Sequence, residues 1–282
     1  MNFETPPAAE HHERKASVIR LDFFRHSIKE KSDTSAAGDN SIPLSEAGRE
    51  LAKERAFSDA NLGQAIAFGS ERIRAQETAA IRMSGESREN LDTLREYLDE
   101  GAGYGSKIGI DERLDYRDTS STPVGAANEA ASAQGEYVHH IVHESDRIAA
   151  ETGDNSGAHY SYKAAQIASV IEKYLEVSDR WNQLVNDPTK HYTPQLERYF
   201  SSHQGTLESF LAKVLELSGE TEKFDAFMAE NKQGFDYLQG FRVEITEDPD
   251  GEKNITLLFA LNNEPQELTV SQDMISEIAA GK

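Results

Sequence analysis

Residues Val18 to Ser32 read VIRLDFFRHSIKEKS. An apolar and aromatic run rich in strand formers stops at Arg25-His26, so two functional side chains stand where a buried strand should hand over to a loop. Open α/β sheets place their ligands at such strand ends. Two later stretches supply matching groups. SERIRAQETA (Ser70 to Ala79) has Arg74 opening a helix, and YFSSHQGTLESFL (Tyr199 to Leu211) has His203 at another strand-to-helix junction. Two arginines and two histidines at strand ends make an anion pocket with a nucleophile in it.

The rest of the chain bounds what that pocket can serve. A chain of 282 residues can bury a large core, and one elaborated domain accounts for it. With 29 Lys and Arg against 50 Asp and Glu, the net charge of -21 argues against nucleic acid or an anionic membrane as partner. An anionic substrate therefore needs a local cationic pocket in a repelling field. The absence of cysteine excludes disulfides, thiolate metal sites and a cysteine nucleophile, and fits a reducing compartment. No apolar run approaches a membrane span, and MNFETPPAAEHHERK lacks a signal-peptide core, so the expected location is cytoplasmic.

In order, residues 1–16 are expected to be a disordered tail in which His11 and His12 are solvated. The first strand covers Ser17 to Phe24 and a polar loop Ser27 to Ile42. A helix capped by Ser45 runs to about Phe57, a short strand covers Ala65 to Phe68, and a helix covers Glu71 to Met83. Leu91 to Leu98 carries a brief apolar pattern. Residues from about 101 to 157, rich in Ala, Ser and Gly with a helical patch at Glu136 to Ala150, are expected to be an insertion that caps the pocket. His159 to Val185 is a long helix with an apolar stripe at Ala164, Ala168, Ile171 and Leu175. Tyr199 to Ser202 is a strand and Gly205 to Leu217 a helix. Gly234 to Ile245 and Asn254 to Leu261 form a hairpin around Asp248-Pro249-Asp250-Gly251 that edges the sheet. Ser271 to Ala280 closes the chain as a capped helix.

Phosphoryl transfer asks for fixed cations around the phosphate oxygens and an uncharged nitrogen aimed at phosphorus. A neutral imidazole supplies the second without a metal. Arg25 and Arg74 offer planar forks of donors that keep their charge. His203, just ahead of a helix N-terminus, adds a donor where backbone N–H groups also favour an anion.

Read together, Arg25-His26, the block Ser70, Arg74, Ala75, Thr78 and Ala79, and the late Ser202, His203 and Gly205 resemble the signature of the histidine phosphatases, the superfamily of phosphoglycerate mutase. The phrase IPLSEAGRELAKERA also resembles that family's first helix. The resemblance implies a three-layer α/β sandwich with a central, mainly parallel sheet, spanning residues 17–282 with the insertion. It implies that His26 is the catalytic residue phosphorylated and that Arg25, His26, Arg74 and His203 bind the transferred group, with no cofactor and no metal. In the family's mutase branch a Glu in a Leu-Asn-Glu-type stretch protonates the leaving group. Leu94-Arg95-Glu96 stands at the matching place, and because Gln204 follows the late histidine where another branch has Asp, Glu96 is favoured over Asp92, Asp99 and Glu100. Ser27 replaces the family's usual glycine.

The expected function is therefore hydrolysis of phosphate monoesters through a phosphohistidine. The substrate class is a small phosphorylated molecule, or a phosphoprotein by the same chemistry. The alternatives are a phosphoglycerate or phosphosugar mutase, disfavoured because no basic residue follows Glu96, and a non-catalytic phospholigand-binding protein. Simpler readings hold elsewhere: Ser27 and Ser32 as loop residues, Glu244, Glu247, Asp248 and Asp250 as a solvated charge run. The cluster His139, His140 and His143 puts two imidazoles four residues apart on one helical face, a spacing that can hold zinc, but the sequence offers no third ligand. No motif bears on oligomeric state.

Overall fold

The computed structural model describes residues 14–31, 36–100, 105–117, 120–230, 233–261 and 264–281. His11, His12 and Ser32 lie outside the described residues. Within the expected tail, Lys15 is tied down: the Asn186 side chain accepts its N–H at 2.7 Å and donates to its carbonyl at 3.0 Å.

One sheet runs in the order β3–β2–β4–β1–β5–β6–β7. Its strands are β1 (Ser17–Arg25), β2 (Ile66–Gly69), β3 (Ile108–Ile110), β4 (Gln195–Ser202), β5 (Gly240–Glu247), β6 (Lys253–Leu261) and β7 (Glu264–Val270). Neighbours from β3 to β1 are parallel, and β5, β6 and β7 add on antiparallel. Strands β1 to β4 and β6 thus point one way and β5 and β7 the other, which is the mainly parallel α/β sheet expected. The helices are α1 (Glu46–Glu54), α2 (Ile73–Ser84), α3 (Leu91–Glu100), α4 (Pro123–Ala133), α5 (Tyr137–Thr152), α6 (Tyr160–Val185), α7 (Thr206–Leu217), α8 (Thr221–Glu230) and α9 (Gln272–Ala279).

β1 sits mid-sheet because both of its faces can be buried. Ile19, Leu21 and Phe23 enter one core with α5, α6, α7 and α9, while Phe24 enters a second with α1, α2 and α3. Phe23 stacks on Phe200 of β4 at 4.7 Å and on Phe241 of β5 at 5.2 Å. Such ring pairs add about 0.5–1.5 kcal/mol each beyond area burial, which fastens the two halves of the sheet across this strand. The expected N-caps form: Ser45 Oγ accepts the Gly48 N–H at 3.0 Å and Ser271 Oγ that of Met274 at 3.1 Å.

Four departures follow from packing. The segment at about 101–157 is partly sheet, since β3 pairs with β2, and it carries α4 as well as α5. The hairpin does not edge the sheet, because β7 pairs with β6 beyond it. Gly234 to Gln239 is loop rather than strand, with Gly234 and Leu238 at positive φ. The charge run is not wholly solvated: Glu244 pairs with Arg20 at 3.2 Å, and Glu247 is buried and accepts from Asn182 at 2.8 Å. No helix among the described residues is long and apolar enough to cross a membrane.

Candidate active site

β1, β2 and β4 are parallel and in register, so their C-terminal ends lie side by side: Arg25 pairs with Ser202, and Gly69 with Ser201. Residues leaving those ends therefore converge. Arg25 ends β1 and His26 follows it, His203 follows β4, and Arg74 sits in the first turn of α2 just beyond β2. Gly69 makes the last placement feasible. A Cβ there would stand 2.4 Å from the Gln76 amide nitrogen, so any side chain would push α2 away from the strand end.

The His26 ring is fixed by its own loop. Nδ1 lies 2.6 Å from the Ser27 carbonyl oxygen, which can only accept, so Nδ1 carries the proton and Nε2 keeps its lone pair. Arg74 Nε stands 3.4 Å from that Nε2. Burial and the Arg74 charge lower the His26 pKa to about 3 against the weaker pull of the Ser27 hydrogen bond, so the imidazole is neutral at ordinary pH.

His203 is 3% exposed, its ring set edge-on to His26 with centroids 5.0 Å apart. Ser70 Oγ accepts the Arg72 N–H at 3.2 Å and lies 2.8 Å from His203 Nε2. With the Ser70 proton on that bond, Nδ1 carries the ring proton as a buried donor with no partner among the described residues. Burial, together with His26 and Arg74, holds this imidazole well below its ordinary pKa. Arg25 donates from Nη1 to the Phe235 carbonyl at 2.7 Å and lies 4.6 Å over the Tyr237 ring, while its buried Nε has no partner among the described residues. An unmet buried donor costs about 1–3 kcal/mol. An anion in the cleft would relieve both.

Other motif residues build the frame. Thr78 Oγ1 donates to the Arg74 carbonyl at 2.7 Å and accepts the Ser27 N–H at 3.1 Å, tying α2 to the loop after β1. The Ser27 hydroxyl is buried and donates to Gly48 O at 2.8 Å, so it locks the loop to α1 and does not face the cleft. Glu208, wholly buried in the first turn of α7, accepts from the Gly205 N–H at 2.6 Å and the Phe235 N–H at 2.7 Å. It thereby joins the His203 turn to the segment that holds Arg25.

The cleft over these groups has a volume of about 680 Å³. Its far wall comes from α4, α5 and the turn before α4, through Ser120, Asn128, Glu129, Ser132 and Tyr137. Structure thus brings together Arg25, His26, Arg74 and His203, and residues 120–137 of the segment at about 101–157 line the cleft with them. It does not bring in Glu96. Leu91, Leu94 and Leu98 turn inward on α3, which points Glu96 to solvent. The last turn of α3 also packs beside Lys107, at the opposite ends of the strands: Asp99 Oδ1 accepts the Lys107 N–H at 2.8 Å. Asp92 and Glu100 are likewise exposed. Among the described residues, Glu129 is the carboxyl group that lines the cleft.

Sequence reasoning also missed Asp39, Arg72 and Tyr116, which meet beside Arg74. The sole hint was Arg72 within SERIRAQETA; the other two stand in stretches read as loop and insertion. His139 and His143 stack at 4.4 Å, and among the described residues no group of three or more His, Cys, Asp or Glu is placed to hold a metal ion.

No protein-family model matches the sequence, and no curated protein matches it. Solved structures do match. A phosphoglycerate mutase from Bacillus anthracis is 15% identical, over 96% of this chain and 99% of that one, with a TM-score of 0.45. A mycobacterial glucosyl-3-phosphoglycerate phosphatase is 16% identical over 86% and 97%, with a TM-score of 0.38. A phosphoserine phosphatase from Entamoeba histolytica, solved with 3-phosphoglyceric acid, is 14% identical over 91% and 99%, with a TM-score of 0.40. These are distant likenesses, and what the cleft can do rests on its own side chains.

Proposed function

We propose that the protein is a histidine phosphatase that hydrolyses phosphate monoesters, with His26 as nucleophile. The observation that carries this reading is the pairing of a neutral His26, its Nε2 lone pair directed toward Arg74, with the buried and unmet donors Arg25 Nε and His203 Nδ1. In the first step Nε2 bonds to phosphorus while the ester P–O bond breaks, and the leaving oxygen takes a proton from an acid. In the second, water gives that proton back to the same group and attacks phosphorus, the P–N bond breaks, and inorganic phosphate departs. Arg25, Arg74 and His203 hold the three phosphoryl oxygens throughout. Neither step uses a metal or cofactor.

The far wall supports hydrolysis over mutase action. Ser120, Ser132 and Tyr137 offer hydroxyl groups to a polar leaving group, and Glu129 there is an acidic rather than a basic residue. A second phosphate would meet no cation on that side among the described residues. The expected result of brief incubation with a phosphomonoester, alkaline quench and mass spectrometry is an acid-labile phosphate on His26. Phosphate found only on other residues would end this mechanism.

Glu129 takes the proton-donor role that the sequence assigned to Glu96. An alkoxide needs the proton and a nitrophenolate can do without it, so Glu129→Gln should slow an alkyl phosphate by roughly a hundredfold or more and an aryl phosphate far less. Glu96→Gln should alter neither. The reverse pattern would restore Glu96.

A further inference from the structure

Asp39 has no place in the motifs or in the reaction, yet it takes up both terminal nitrogens of Arg74, one of the groups proposed to hold the phosphoryl oxygens. Its Oδ2 accepts from Arg74 Nη2 at 2.7 Å, from the Tyr116 hydroxyl at 3.0 Å and, in a short contact, from Arg72 Nη1. Oδ1 meets Lys29 Nζ at 3.0 Å. Its backbone carbonyl accepts from Arg74 Nη1 at 2.8 Å. Both terminal nitrogens of Arg74 are thus occupied, leaving Nε beside His26.

Two buried guanidiniums, an ammonium and a phenol converge on this one carboxylate. Arg72 and Arg74 are 7% and 2% exposed. Like charges so close and so poorly hydrated need an anion between them whatever the state of the enzyme. Arg72 has Asp115 as its other partner, at 2.9 Å, while Arg74 has Asp39. Burial pushes the Asp39 carboxyl up, but hydrogen bonds from Arg74 and Lys29 and the charges of Arg74 and Arg72 outweigh it and hold it well below the usual carboxylate range. It is therefore present as an anion.

We propose that Asp39 is a built-in stand-in for the substrate phosphate, which fills the anion pocket at rest and, when displaced, hands Arg72, Tyr116 and Lys29 to the incoming phosphoryl group along with Arg74. The inference rests on the phosphatase reading of the pocket. Rotation of the Asp39 side chain is enough, because its carbonyl can keep Arg74 Nη1 while the carboxylate leaves Nη2 and the other three donors. A tethered competitor acts at high effective concentration. It is overcome by a ligand with more charge and more oxygens, so a phosphate dianion displaces it and a free carboxylate or a phosphodiester, each a monoanion, does not. Asp39 in this way selects monoesters by charge.

The test is calorimetric titration of inorganic phosphate, and separately of acetate, into the native protein, Asp39→Asn and Asp39→Ala, with phosphomonoesterase activity measured on each. Phosphate should bind the variants more tightly by about tenfold or more, which is about 1.4 kcal/mol, and acetate should bind the variants alone. Arg72→Met should weaken phosphate binding by a similar factor. Unchanged or weaker phosphate binding in both Asp39 variants, with the native protein active, would overturn the role of Asp39 and leave the phosphatase reading standing. No phosphate binding by any of the proteins, with no activity, would overturn both.

Discussion

His26→Ala should lower phosphomonoester hydrolysis by about 10⁴-fold or more, the scale seen when a covalent nucleophile is removed. The loss is that large because no substitute nucleophile is in position among the described residues: His203 Nε2 is held against Ser70 Oγ at 2.8 Å. The depressed His26 pKa adds a second readout. An imidazole that titrates near 3 is fully unprotonated from pH 5 to 8, so it cannot produce the acid limb of kcat/KM. The limb should come from the ester, whose second phosphate ionisation lies near pH 6, and should move when the ester is exchanged for a more acidic one. A limb fixed near 6.5 for every ester would contradict the environment described for His26. The same shift sets a sign for stability. Below about pH 6.5 the unfolded chain protonates this histidine and the folded chain does not, so its contribution weakens as pH falls from 6.5 toward 3 and changes no further below that.

The second large effect belongs to Arg74. Arg74→Ala should lower kcat/KM by about 10²–10³-fold, the usual consequence of removing one donor to a developing transition-state charge, and alkyl and aryl esters should lose equally because the transferred group is common to both. Arg74→Lys should recover little. The guanidinium holds Asp39 with two nitrogens while a third faces His26 Nε2, and a single ammonium cannot span those positions. Steady-state kinetics on both ester types checks this; recovery by lysine to within a few-fold of native would show that only net charge matters there.

The four side chains that meet at the cleft, Arg25, His26, Arg74 and His203, were legible because each lies at a strand end or opens a helix whose apolar pattern is strong. Ile19, Leu21 and Phe23 mark β1, and Leu207, Phe210, Leu211 and Val214 mark α7. The weakly patterned elements were not. β7 buries only Val270 fully, β3 is three residues long, and α4 is mostly Ala, Ser and Gly. An edge strand or a helix over a cleft has one face to hide at most, so its sequence says little. Glu96 is a different case. The spacing Leu91, Leu94, Leu98 that marks α3 as a helix already turns Glu96 outward, and the motif resemblance overrode it. The Asp39 cluster was beyond reach, since its partners come from three separate segments and no spacing joins Lys29, Asp39, Arg72 and Tyr116.

β1 joins the two halves of the sheet, pairing with Gln195–Ser202 on one side and Gly240–Glu247 on the other. Seen during synthesis, this means that an apolar strand emerges long before either partner exists. At about 5–20 residues per second, β4 follows by roughly 10–40 s, and until then both edges of β1 are open to other chains. Every contact that completes it is long-range, which also makes late and slow closure of the sheet the natural order of events. Residues 17–25 are therefore the stretch most in need of shielding in that interval, and a net charge of -21 works against association of copies.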